Sequence, residues 1–112
     1  MNIAIATDEV RQFFDARSCS WDSRTPRNPD VLRSLLAWLP MQPGDSVLDV
    51  GTGTGVLLPY IRERNPQGGI DAVDLSPGML AVAKQKYGTD PFLHFIPVDV
   101  TRESLSRRYH AI

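Results

Sequence analysis

Apolar positions along the chain follow two different spacings, which predict strands that alternate with helices. Short, nearly continuous apolar runs typical of buried strands occur at residues 47–50, 70–74 and 92–98. The segments between these runs, and the segment before the first of them, carry apolar residues at helical spacing. Strands and helices that alternate in this order predict a parallel sheet, wound right-handed, with helices on its faces. The expected fold class is therefore α/β, with two further helices before the sheet.

Local signals predict where the helices begin and end. The first helix carries an amphipathic face, and residues 18–27 are expected to form a loop after it. Asn28-Pro29 predicts an N-cap and a first helical turn, and Pro40 ends that second helix. The helix after the first strand should begin near Val56, with Pro59 bending its axis. Ser76-Pro77 predicts the start of the last helix.

Composition places the chain among ordinary globular domains. Its 112 residues allow at most one domain, and 42% hydrophobic and 22% charged residues argue against disorder. A net charge of −1 gives no electrostatic reason to expect nucleic acid or an anionic membrane as partner. The single cysteine excludes an internal disulfide and cannot form a zinc site alone, so no metal is expected. No secretory leader or membrane-spanning run is found, and we expect a cytoplasmic protein.

A glycine-rich turn directly after the first strand is the strongest chemical signal. Gly51, Gly53 and Gly55 form a G-x-G-x-G pattern that leaves backbone N–H groups open to a ligand. Asp74 ends the second strand 23 residues beyond Gly51, the separation at which βαβ nucleotide sites hold ribose hydroxyls. A dinucleotide site usually has G-x-G-x-x-G, and Val56 stands where its third glycine is expected. A dinucleotide-binding oxidoreductase is therefore the weaker interpretation.

With Asp49 two residues before the first glycine, the pattern resembles motif I of the class I S-adenosylmethionine-dependent methyltransferases. Residues 41–46 are similar to the lead-in to that motif, and residues 74–80 and 95–100 are similar to the second and third strand motifs. The resemblance covers residues 40–112 and implies a Rossmann-like fold for them. It implies a partial cofactor-binding domain at 40–112, which follows an N-terminal helical lid at 1–39.

The resemblance implies S-adenosylmethionine as the cofactor and a set of residues around it, namely Asp49, Gly51, Thr52, Gly53, Gly55, Asp74, Leu75, Met79, Asp99 and Val100. The glycines would let the backbone approach the sugar and methionine portions. Asp49 would lie near the methionine ammonium, and Asp74 would accept hydrogen bonds from the ribose hydroxyls. The adenine would pack on Leu75 and Met79, with its edge facing Asp99 and the backbone of Val100.

The family's chemistry needs little from the protein beyond orientation, because the sulfonium already activates the methyl group. No catalytic base can be named, and His94 and His110 are expected to be ordinary packed or surface side chains. The family implies a small-molecule acceptor. In the lid, Phe14 and Trp21 either cover the cofactor and acceptor pocket or merely patch the edge of the core.

The sequence departs from the family pattern at the end of the chain. The family's sheet has about seven strands, whereas here residues 107–112 resemble only the opening of the fourth, so the fold is expected to be truncated after the third strand. The first strand would then form an open sheet edge, which a second copy or another chain could cover. An alternative function is therefore a non-catalytic cofactor-binding or interaction module from a truncated or split methyltransferase.

Overall fold

The computed structural model describes residues 3–103 together with residues 105, 109 and 112. Four helical segments precede the sheet: α1 (Ile3–Arg17), a 3-10 turn (Ser18–Ser20), α2 (Trp21–Arg24) and α3 (Pro29–Ala37). The prediction of a loop over residues 18–27 is therefore wrong for residues 18–24, which are helical. Hydrogen bonds that Asp22 accepts from Thr54 and Lys86, far along the chain, hold this short helical segment.

The sheet contains three parallel strands, as the hydrophobic pattern predicts. Strand β1 (Val47–Val50), helix α4 (Leu58–Arg64), strand β2 (Ile70–Asp74), helix α5 (Pro77–Tyr87) and strand β3 (Leu93–Pro97) follow one another. The strand order is β1-β2-β3, with Val47 opposite Ile70 and Ile70 opposite Leu93. The α/β prediction is confirmed. Within the described residues, one edge of β1 has no neighbouring strand.

The helix starts are set by local hydrogen bonds that the sequence indicates. The Asn28 side chain accepts hydrogen bonds from the backbone N–H groups of Asp30 and Val31, and Ser76 accepts one from Met79. Helix α4 begins at Leu58, two residues later than expected. Pro59 consequently lies in its first turn, where proline costs no hydrogen bond, so the predicted conflict does not arise.

The two faces of the sheet are buried unequally. The helix-covered face holds the main core, which consists of Leu36, Met41, Val47, Leu58, Ile61, Ile70, Ala72 and Leu93. On the opposite face, Leu48, Val73 and Val98 pack with the partly buried Leu105 and Tyr109. Burial of these side chains stabilises the fold by roughly 25 cal/mol per Å² of apolar surface.

The end of the chain is described only in part. Of the segment predicted to open a fourth strand, Tyr109 and Ile112 are described and neither is in a strand, while the other residues and His110 lie outside the described set. His94 lies on β3 with half its side chain exposed, and its Nδ1 is 3.5 Å from Oδ1 of Asp71. Among the described residues, no helix is both long and apolar enough to cross a membrane.

Candidate functional site

The loop after β1 is held in a conformation that only glycine adopts easily. Gly51, Gly53 and Gly55 have φ values of 71°, 59° and 86°, all in the left-handed region. The backbone N–H groups of Gly51 and Thr52 both donate to the carbonyl oxygen of Val73, at 2.9 and 3.0 Å, so they are not open to a ligand as the glycine pattern predicts. The loop is therefore fixed across the carboxyl end of β2, where ligands of open parallel sheets bind.

Asp74 is oriented by backbone N–H groups from both sides. Its Oδ2 accepts a hydrogen bond from Gly53 N at 2.9 Å, and its Oδ1 accepts one from Ser76 N at 2.9 Å. Each carboxylate oxygen has a second acceptor position. The carboxylate can therefore receive two further donors from a ligand without giving up the contacts that position it.

A cavity of about 580 Å³ opens beside these residues. It is lined by seven of the ten residues predicted for the cofactor, namely Asp49, Gly51, Thr52, Gly53, Asp74, Leu75 and Met79. Seven apolar residues that the sequence did not assign to the cofactor complete its wall: Val10, Phe14, Trp21, Leu32, Leu35, Val56 and Leu57.

Two buried polar atoms of residues that line the cavity, Asp49 Oδ2 and Thr52 Oγ1, have no hydrogen-bond partner among the described residues. Burial raises the pKa of Asp49; the Thr52 side chain opposes the rise, and the charge of Asp74 adds to it. Unpaired buried polar atoms are costly in a folded protein. A ligand that brings a positively charged donor to this position would satisfy both the charge and the hydrogen-bonding capacity.

The N-terminal helices form the apolar side of the cavity. Phe14 and Trp21 pack edge to face with ring centroids 5.5 Å apart, and both rings line the cavity. The two roles predicted for these residues are to cover the pocket or to patch the edge of the core. This placement favours the first. The sequence pattern indicates that an N-terminal helical segment covers the site, but it does not indicate the distant contacts that hold this segment in place.

Three predicted residues do not line the cavity. A Cβ on Gly55 would lie 2.9 Å from the Tyr87 ring, so this glycine allows close packing of the loop on α5. Asp99 follows β3, where hydrogen bonds from Thr101 lower its pKa, and its Oδ2 is buried without a partner among the described residues. Val100 is 41% exposed. The roles of these three residues remain predictions.

The hydrogen-bond acceptors and apolar side chains of the cavity fit a nucleoside joined to a cationic amino acid. Asp74 offers acceptors for a pair of hydroxyl groups, and the unpaired Asp49 Oδ2 offers an acceptor for an ammonium group. Leu75 and Met79 offer apolar surface for a flat base. Among the described residues, no cluster of His, Cys, Asp and Glu has the geometry of a metal site.

Comparison with known proteins gives the same assignment. The sequence profile of the methyltransferase domain family matches residues 48–111, more than half of the chain. A malonyl-[acyl-carrier protein] O-methyltransferase of Marinomonas sp. (strain MWYL1) is 44% identical over 101 residues, covering 89% of this chain and 37% of that protein. A tRNA1(Val) (adenine(37)-N6)-methyltransferase of Aliivibrio salmonicida (strain LFI1238) is 35% identical over 81 residues, covering 70% and 35%.

A solved structure shows the same similarity in three dimensions. The S-adenosylmethionine-dependent methyltransferase of Thiobacillus denitrificans, in complex with S-adenosyl-L-homocysteine, superimposes with a TM-score of 0.61 at 28% identity. The match covers 78% of this chain and 36% of that one. The chain thus spans little more than a third of the proteins it matches. It belongs to the class I S-adenosylmethionine-dependent methyltransferases, and S-adenosylmethionine is its cofactor.

Proposed function

We propose that the cavity at the carboxyl ends of β1 and β2 binds S-adenosylmethionine, and that the enzyme transfers its methyl group to the carboxylate of a malonyl thioester on an acyl carrier protein. The observation that carries the cofactor site is the pair of aspartates in one cavity, Asp49 with an unpaired buried oxygen and Asp74 with free acceptor positions. When bound, the cofactor supplies a methyl group that is already electrophilic.

Each wall of the cavity would bind one portion of the cofactor. Asp74 would accept hydrogen bonds from the ribose hydroxyls, and Asp49 with Thr52 would accept those of the methionine ammonium. Leu75 and Met79 would pack on the adenine. Asp99 and Val100 lie outside the cavity lining, and we propose that Asp99, with the backbone of Val100, contacts the edge of the adenine ring, a role that the unpaired Asp99 Oδ2 supports.

A carboxylate acceptor agrees with the groups present in the cavity. Carboxylates are ionised at neutral pH, so methyl transfer to one requires no base to remove a proton. The titratable side chains that line the cavity, as far as the chain is described, are Asp49 and Asp74, both assigned to the cofactor. The protein would then contribute orientation and exclusion of water. The relative from Marinomonas, named for malonyl-[acyl-carrier protein], supports this acceptor class.

The test is transfer of a labelled methyl group from S-adenosylmethionine to malonyl-acyl carrier protein. The carrier protein without its malonyl group and an unmodified tRNA serve as alternative acceptors. Base-labile label on the malonyl form alone, absent with Asp74→Ala, is the expected result, because methyl esters release methanol in base. Label on the tRNA and none on the malonyl form would contradict a carboxylate acceptor and favour a nucleic-acid acceptor.

The same assay separates the enzyme from the alternative of a non-catalytic module. A chain that binds S-adenosylhomocysteine but transfers no label to any acceptor would support that alternative. In the part of the chain that the structure describes, one edge of β1 has no neighbouring strand. We propose that a second copy of the chain or another polypeptide covers this edge, since unpaired strand edges readily recruit a further strand.

A further inference from the structure

Two aspartates of the N-terminal segment reach the loops that shape the cofactor cavity. Asp15 lies near the end of α1 and contacts the start of α5, 61 and 63 residues further along the chain. Asp22 lies in α2 and contacts the glycine loop and the last turn of α5. Phe14 and Trp21, which form the apolar wall of the cavity, each immediately precede one of these aspartates.

Asp15 is separated from the predicted ribose-binding carboxylate by a single residue. Its Oδ1 accepts hydrogen bonds from Gly78 N at 2.8 Å and from the hydroxyl of Ser76. Ser76 is fully buried, and its backbone N–H donates to Asp74 Oδ1. A shift of Asp15 would therefore disturb the residue that orients Asp74.

The approach of α1 to α5 depends on a glycine. A Cβ on Gly78 would lie 2.9 Å from Asp15 Oδ1 and 3.0 Å from Ser18 Oγ. Ser18 is itself buried and donates its hydroxyl to the carbonyl oxygen of Asp15. The absence of a side chain at Gly78 allows this close contact between the N-terminal segment and the site.

Asp22 holds the second half of the N-terminal segment in place through ion pairs and a hydrogen bond. Its Oδ1 accepts from the Thr54 hydroxyl at 2.6 Å and lies 2.8 Å from Arg27, and its Oδ2 lies 2.8 Å from Lys86. Thr54 belongs to the glycine loop and is fully buried. Partial burial raises the pKa of Asp22, but hydrogen bonds from Lys86, Thr54 and Arg27 outweigh it and hold that pKa well below its usual range. Asp22 is thus ionised at neutral pH.

We propose that Asp15 and Asp22 are positioning residues that close the Phe14–Trp21 wall over S-adenosylmethionine and couple this closure to Asp74 and the glycine loop. The inference rests on the proposed cofactor site. Neither aspartate lines the cavity, so each acts through its partners. When the hydrogen bonds of either aspartate are removed, the wall opens and the site admits water. Part of the binding energy then goes into closing the wall again.

Trp21 provides a direct readout of closure. The chain has two tryptophans, and Trp38 is 87% exposed, so Trp38→Phe leaves Trp21 as the single emitter without touching the cavity. In this background we would compare Asp15→Ala, Asp22→Ala and the double variant. Asp15→Asn keeps an acceptor oxygen for Gly78 and Ser76 and tests rescue. Asp8→Ala removes an exposed carboxylate of the same helix and is the matched control.

Calorimetric titration with S-adenosylhomocysteine and Trp21 emission are measured on each variant. Each alanine variant at Asp15 or Asp22 should bind the product at least about tenfold more weakly, the reduction expected for a hydrogen bond to a charged group. Its Trp21 emission should shift to the red without ligand. Asp15→Asn and Asp8→Ala should stay within about threefold of the parent, since neither removes a positioning contact.

Unchanged affinity and unchanged Trp21 emission in folded Asp15→Ala and Asp22→Ala would overturn the proposal. Where these variants do not fold, as judged by circular dichroism, Lys86→Met removes one partner of Asp22 whose side chain is 33% exposed, and it should give a smaller red shift; no shift would again overturn the proposal. A parent chain that binds no S-adenosylhomocysteine refutes the proposed cofactor site instead. In that case a red shift in Asp15→Ala still supports closure of the wall, and its absence refutes that as well.

Discussion

Gly53 and Asp74 are joined by a 2.9 Å hydrogen bond between the backbone N–H of the glycine and Oδ2 of the aspartate. The bond connects the loop after β1 to the end of β2, so the two sequence signals for a nucleotide site form one structural unit. Because the loop is also fixed to the carbonyl of Val73, this unit is positioned before any ligand binds. Preorganisation of this kind reduces the entropic cost of binding.

Asp49 should favour binding at the expense of stability. Because burial raises its folded-state pKa above the unfolded value, ionisation of Asp49 costs stability at neutral pH, and this cost disappears below the ordinary aspartate pKa of 3.8. Asp49→Asn should therefore raise the free energy of unfolding by about 1 kcal/mol at neutral pH, because the neutral amide removes the cost of a buried charge. The same change should weaken S-adenosylhomocysteine binding by about tenfold or more.

Denaturant unfolding between acid and neutral pH, together with calorimetry, checks both halves of this prediction. The stability gain of Asp49→Asn should shrink as the pH falls. A variant that is less stable than the parent at neutral pH, or one that binds the product equally well, contradicts the role given to Asp49.

Gly55 should matter for stability through packing. Gly55→Ala combines a left-handed φ of 86° with a Cβ 2.9 Å from the Tyr87 ring. We expect a decrease of about 2–4 kcal/mol in the free energy of unfolding, from backbone strain and overpacking together. Gly69→Ala is the matched control, because a Cβ there meets nothing within 4 Å and the backbone is not left-handed. Equal midpoints in urea for the two variants would show that Tyr87 does not confine this loop.

The edge of β1 that has no neighbouring strand among the described residues should drive self-association. Val50 is 46% exposed at this edge, and an apolar groove of about 300 Å³ lies beside it. We expect the purified chain to sediment as more than a monomer, and Val50→Lys to shift it toward the monomer, since edge lysines block strand pairing. Val31→Lys adds the same charge at an exposed apolar position on α3 and should have little effect. A parent chain that sediments as a monomer and binds no apolar dye would argue against a recruiting edge.

The part of the fold that could be predicted from sequence is the part set by local signals. Asn28 and Ser76 cap their helices with side-chain hydrogen bonds that span two or three residues, so nearby sequence is sufficient. The order of strands follows from the apolar runs. Seven of the predicted cofactor residues share one cavity because the carboxyl ends of neighbouring parallel strands meet there.

The rest depends on contacts between distant parts of the chain. The sequence pattern does not predict helix α2, because Asp22 is held by Thr54 and Lys86, 32 and 64 residues away. It assigns no role to Asp15, since the partner of Asp15, Ser76, is 61 residues away. The predicted start of α4 near Val56 is two residues too early, since the periodicity of Val56 and Leu57 does not distinguish a helix from a loop that packs its apolar side chains.

Calorimetric titration of the chain and of Asp74→Ala with S-adenosylhomocysteine, with NADH as the control ligand, decides whether the cavity is the cofactor site. We predict saturable binding at one site, no binding of NADH, and a decrease of about 1.5–3 kcal/mol in binding free energy for Asp74→Ala, the range for hydrogen bonds to a charged group. Absence of heat from a folded sample, or equal affinity for Asp74→Ala, would contradict the assignment.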